Sequence, residues 1–199
     1  MRDDMKAARQ ERIEEAAYRL VRSRGYSGVS MLAIAREARA SNETLYRWYG
    51  DKRGLFKAMV ETNARRTPAA LDRAISEGAD PLTTLSEVGP VLLAMLLGER
   101  AVLLNRAAAA DETGELGETI AAGGREAVFP MIEALMGKGM EAGTLAAPSA
   151  GAAAEWFLAL LIGDQQIRRV IGAMPEPSPA DIETRAAAAM TAFRRLCAA

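Results

Sequence analysis

The chain has 199 residues, half of them hydrophobic and 26% charged, with a net charge of −1 and no histidine. That composition supplies a sizeable core in one large or two small domains. The single cysteine, Cys197, excludes an intrachain disulfide and a cysteine metal cluster. No run of about 18 uncharged apolar residues marks a membrane span, and the N-terminus MRDDMKAARQER is charged where a secretion signal carries an apolar run. A soluble, cytoplasmic protein with no membrane partner is expected.

The near-zero net charge hides an asymmetry. Residues 1 to 66 hold 15 Lys and Arg against 9 Asp and Glu, a balance of +6, while the remainder hold 10 against 17, a balance of −7. A basic head on an acidic body is suited to docking that head on phosphate, although a chance asymmetry of solvated faces has the same signature.

In chain order, apolar residues recur at three-to-four spacing and β-branched residues are sparse, so the expected fold is all-α. A first helix is expected over about residues 9 to 24, with Ile13, Ala16, Ala17, Leu20 and Val21 as its apolar stripe and Gly25 as its stop. Before it, Arg2, Lys6 and Arg9 have the character of a minor-groove arm, but the interleaved Asp3 and Asp4 favour a disordered tail. Ser30 is placed to cap a short helix with Met31, Ile34, Ala35 and Ala38 inward, and Ser41 to cap the next, with Leu45, Trp48 and Tyr49 inward. Arg39 and Ala40 alone remain between them, room only for a tight turn.

Two helices joined in this way meet the requirement of a helix-turn-helix, in which one helix braces the backbone and the other enters the major groove. The outward positions of the second helix, Asn42, Glu43, Thr44 and Arg47, carry groups that match base edges or a thymine methyl, and Tyr46 turns a hydroxyl toward a phosphate. Lys52 opens a fourth helix whose inner face is Leu55, Phe56, Met59 and Val60, where its charge suits an anion. For any single residue an ordinary solvated surface is an equal alternative.

The run SMLAIAREARASNETLYRWYGDKRGLFKAMV resembles the DNA-binding domain of the tetracycline-repressor-like (TetR) family over about residues 10 to 60, through Ile34, Ala35, Ala38, Ser41, Leu45, Tyr46, Trp48, Tyr49, Lys52, Leu55 and Phe56. The resemblance implies a three-helix, helix-turn-helix DNA-binding domain over 1–66 and a helical ligand-sensing and dimerisation domain over 67–199. It implies phosphate contacts at Ser30, Tyr46 and Lys52, and DNA-facing positions at Asn42, Glu43, Thr44 and Arg47. Two positions depart from the family pattern. Arg39 stands where the turn usually has Gly, so the turn takes a positive φ at a non-glycine residue or bends differently. Leu32 stands where polar residues are commoner.

Beyond Pro68, a break near the junction, apolar segments are expected at about 81 to 97, 99 to 111, 115 to 142, 149 to 172 and 179 to 197. Gly123, Gly124, Pro130, Gly137 and Gly139 make the third of them a soft, kinked helix. Met95, Leu96, Leu103, Phe129, Ile132, Met136, Trp156 and Leu160 are candidate walls of an effector pocket, with Asn105, Arg106 and Gln165 as polar groups beside it; plain core is the alternative. Phe157, Leu161, Ile167, Ile171, Ile182, Met190 and Phe193 lie on two wide apolar faces, which close a monomeric bundle or, as the resemblance implies, pair with a second copy.

A regulator of this kind has operator DNA, its own copy and a small apolar or amphipathic effector as partners, with repression as the family's commoner mode. Without histidine, a phosphate-binding glycine loop or a metal-spaced cluster, the sequence gives no sign of an enzyme, a cofactor or a metal. The alternative is a helical interaction or small-molecule-binding protein without operator specificity.

Overall fold

The computed structural model describes residues 2–76 and 80–197, and of residues 2–4, 66 and 74 only the backbone. The described residues form helices and connecting turns, in the order α1 (Arg2–Arg24), α2 (Met31–Glu37), α3 (Asn42–Tyr49), α4 (Lys52–Ala64), α5 (Arg66–Ser76), α6 (Pro81–Leu97), α7 (Glu99–Ala109), α8 (Glu115–Gly123), α9 (Arg125–Glu141), α10 (Ala150–Ile162), α11 (Gln165–Val170) and α12 (Pro179–Leu196). They divide into two compact units, one of the chain up to Thr62 with Leu103–Ile120, the other of Asn63–Val102 with Ala121–Ala199. The sequence division at 66 therefore differs from the packing, because 103–120 returns to the N-terminal unit.

The first unit is built on the expected stripe of α1. Ile13, Ala16, Ala17 and Leu20 meet Met31, Ile34 and Ala35 of α2, Leu45 of α3 and Leu55, Phe56, Met59 and Val60 of α4 in one buried cluster, joined by Leu103, Leu104, Ala107 and Leu116. Gly25 ends α1 at φ +69°, a conformation glycine adopts without steric cost, and its N–H closes on the Val21 carbonyl at 2.9 Å. α1 begins at Arg2, so helix occupies the place where a disordered tail is expected. Lys6 and Arg9 are exposed on it, whereas the Arg2 side chain lies outside the described residues.

In the second unit α10 packs on α9 and α12, α12 on α6, and α5 on α6 and α9. Pro68 does not break a helix: it sits in the first turn of α5, where the missing N–H costs no intrahelical bond. The kink expected within 115 to 142 is a full break at Gly124, between α8 and α9, and Pro130 lies inside α9. The segment 149 to 172 is also divided. Gly163 ends α10 at φ +54°, and a Cβ there would stand 3.1 Å from Arg185, which donates from Nε to the Leu161 carbonyl at 3.0 Å and from Nη2 to the Leu160 carbonyl at 2.5 Å. Arg169 donates to the Leu97 carbonyl at 2.8 Å. Two arginines thus satisfy carbonyls at the C-terminal ends of α10 and α6, which have no partner within their own helices.

Candidate nucleic-acid interface

Each helix of the pair α2 and α3 begins with a serine cap, as its sequence predicts. Ser30 Oγ accepts from the Ala33 N–H at 3.2 Å and Ser41 Oγ from the Thr44 N–H at 3.1 Å. The turn between them is a Schellman motif, in which the Ala40 N–H reaches the Ala35 carbonyl at 2.9 Å and the Arg39 N–H the Arg36 carbonyl at 3.2 Å. That geometry puts the residue after the cap in the left-handed region, and Arg39 occupies it at φ +51°. The positive φ at a non-glycine residue is realised. An L-residue there costs about 1–2 kcal/mol, part of which a glycine returns through its freer unfolded state. Arg39→Gly is therefore expected to be more stable than Arg39→Ala by roughly 1 kcal/mol in urea denaturation, and equal stabilities would refute strain at this turn.

α3 turns Asn42, Glu43, Tyr46 and Arg47 to solvent as one continuous face. Thr44 departs from the expected outward position. It is buried, with its hydroxyl 2.7 Å from Ser41 Oγ, because it stands three residues after the cap, where a short polar side chain folds back onto it. Thr44 braces the cap and presents nothing to a base edge.

Lys52 has an engagement that sequence reasoning did not supply. Its Nζ donates to the carbonyls of Tyr26 and Val29, both at 3.1 Å, and lies 4.2 Å from the centroid of the Tyr26 ring. At least two of its three donors are committed to the loop that leads into Ser30, and burial lowers its pKa. Beside it a cleft of about 310 Å³ is walled by Tyr26, Arg53, Asp111 and Thr113, with Arg53 ion-paired to Glu115. Carbonyls distant in sequence leave no local signal, so only the folded chain reveals this role.

Tyr26 packs edge-on against Phe56 at 5.4 Å, and the hydroxyls of Tyr26 and Tyr49 are both buried without a hydrogen-bond partner. Burial raises both phenols to about 12. Since the unfolded phenols ionise near 10, the neutral forms contribute stability that is complete below about pH 10 and lost as pH rises through about 12. The variant with Tyr26→Phe and Tyr49→Phe is expected to show a smaller alkaline loss of stability over that window, and to match or exceed the parent at neutral pH by up to about 1 kcal/mol, because no unsatisfied hydroxyl remains buried. An unaltered alkaline transition would count against this assignment.

Family models match both parts of the chain, the tetR family of bacterial regulatory proteins over residues 13–59 and the C-terminal domain of AefR-like transcriptional repressors over residues 83–198. The chain belongs to the TetR family of transcriptional regulators. Among solved structures, a Mesorhizobium loti protein assigned to the TetR family is similar at 25% identity and a TM-score of 0.77, over 97% of this chain and 98% of its own. A TetR regulator from Agrobacterium tumefaciens is similar at 27% identity and a TM-score of 0.73, over 96% of this chain and 94% of its own. SmeT, solved as a triclosan complex, shares the fold at 21% identity and a TM-score of 0.78, over 96% and 92% of the two chains. No curated protein shows a significant match to the chain. TetR regulators are DNA-binding transcription factors, generally non-enzymatic, and typically dimeric. Among the described residues no helix of this TetR regulator is long and apolar enough to cross a membrane.

The candidate effector residues of the TetR regulator are only partly brought together. Ile132 and Met136 are fully buried in the core of the second unit, and Met95, Leu96, Phe129, Trp156 and Leu160 are half-buried against it. Leu103 lies instead in the core of the first unit, and Asn105 in the same unit, so neither shares that grouping. Gln165 donates to the Ile162 carbonyl at 3.3 Å, a bond at the end of α10.

The expected dimer residues divide more sharply. Phe157, Leu161, Ile182, Met190 and Phe193 are buried inside one protomer and leave no surface for a partner, whereas Ile167 and Ile171 on α11 are 57% and 66% exposed. The apolar stripes of α10 and α12 face α6 and one another. Helical periodicity identifies such a stripe but not what covers it.

Proposed function

We infer that this TetR regulator is a cytoplasmic, homodimeric repressor that binds an operator through α3 and is released from it by a small apolar or amphipathic effector. The carrying observation is the exposed face Asn42, Glu43, Tyr46 and Arg47 on a helix fixed at its start by Ser41 and Thr44. In this reading Arg47 and Asn42 meet base edges, Glu43 accepts from a cytosine amino group, and Tyr46 and Ser30 hold phosphates. Lys52 acts chiefly by holding the Tyr26–Val29 loop, and so the start of α2, in place.

The outward surfaces of the last helices support self-association. α12 exposes Ala187, Ala188 and Thr191, α10 exposes Ala159 beside half-buried Leu158 and Ile162, and α11 adds Ile167 and Ile171. Small residues allow two copies of these helices to approach closely, and a two-fold axis would set the recognition helices one DNA turn, about 34–36 Å, apart. For the effector, the half-buried Met95, Phe129, Trp156 and Leu160 offer an adaptable apolar lining. SmeT was solved with triclosan, a precedent within the same fold.

Selection of genomic DNA fragments by the purified protein, followed by a salt titration on the enriched site, tests the reading. A two-fold symmetric site bound roughly a thousandfold or more above random DNA is expected, with affinity falling steeply as salt rises. Arg47→Ala should relax preference at one base pair per half-site, by about 1–3 kcal/mol. Equal affinity for all sequences would overturn operator recognition.

A further inference from the structure

The operator-binding reading accounts for the polar face of α3 but not for Leu32, an exposed leucine on the neighbouring helix. The side chain is 47% exposed on a helix whose other large outward residues are Arg36 and Glu37. A single surface leucine is unremarkable; its place on α2 is what singles it out. The flank of α2 that carries Glu37 is fixed toward α1 by an ion pair with Arg19 at 3.1 Å. Met31, Ile34, Ala35 and Ala38 face the core. At 100° per residue, Leu32 falls on the flank opposite Glu37. Among the described residues α1 and α3 pack most extensively on α2. Since the Glu37 flank is turned to α1, Leu32, in the first turn after Ser30, lies on the flank away from α1, on the helix that the Arg39–Ala40 turn joins to α3.

A side chain there has two destinations on a bound duplex. Against a phosphate, leucine offers no donor and only displaces water from the anion, whereas in the major groove the 5-methyl of thymine is the one apolar group that it can cover. We propose that Leu32 is a specificity-determining residue that reads a thymine methyl beside the bases contacted by α3. The inference rests on the operator-binding reading and adds a base that α3 does not itself select.

The test replaces each thymine of the selected operator in turn by uracil, which keeps pairing and removes only the methyl, and measures binding by the wild type, Leu32→Ala and Leu32→Met. At one thymine per half-site, uracil is expected to weaken the wild type roughly fourfold, the worth of one buried methyl. The same replacement should leave Leu32→Ala unaffected, whereas Leu32→Met retains the penalty. Melting temperatures of the variants should match the wild type, since the side chain is half in solvent. The proposal is overturned if no thymine position is sensitive in the wild type, or if Leu32→Ala suffers the same uracil penalty. Failure to enrich any DNA sequence would instead overturn the operator-binding reading, which separates the two outcomes.

Discussion

Phe193→Ala is expected to lower the unfolding free energy by about 3–5 kcal/mol, the usual loss when a fully buried phenylalanine is emptied from a core. Phe193 is 0% exposed and stands edge-on to Phe157 at 5.7 Å and 75°, so the truncation removes burial, an aromatic pair and the packing of α12 on α10 together. Urea denaturation at several protein concentrations measures the effect. In a dimer the midpoint itself depends on concentration, so the comparison with the wild type is made at equal concentration. Had Phe193 belonged to an interface, the variant would dissociate while each protomer kept its stability. That result would reject the core assignment.

Ala188→Arg should have the reverse signature. Ala188 is exposed on α12, on the side away from Ile182, Ala186, Ala189 and Phe193, so arginine there costs the isolated protomer almost nothing. In the proposed dimer each substitution occurs twice about the two-fold axis and buries an unpaired charge at each occurrence. Self-association is expected to weaken by at least about 100-fold, with sedimentation equilibrium as the measurement. Operator affinity should fall with it, because two short recognition helices lose the tether that makes the second contact intramolecular. A dimer constant equal to that of the wild type would place the interface elsewhere.

These two substitutions divide what one sequence pattern joins. The residues Ile182, Ala186, Ala189, Met190 and Phe193 show a helical stripe, and the stripe is buried as the pattern requires. Whether its cover is α6 and α10 or another copy is not written in the spacing, since both present the same apolar environment. Leu103 gives a second instance. Its run reads as continuous with the helices of the second unit, yet it is buried with Leu104 and Leu116 among residues of α1 and α4.

The helix-turn-helix itself was legible because its determinants are local. Ser30 and Ser41 cap because each side chain is within reach of an N–H three residues on. The two-residue link Arg39–Ala40 leaves room only for a tight turn, and it closes through a left-handed residue at Arg39. Asn42, Glu43, Tyr46 and Arg47 follow as its exposed face. Tertiary structure alone committed Lys52 to carbonyls 26 and 23 residues away and buried Leu103 among residues of α1 and α4. The physical reason is one of range. Caps, turns and helical period act within a few residues, whereas the neighbour that buries a stripe, or accepts an ammonium's hydrogen bonds, is fixed only when distant segments meet.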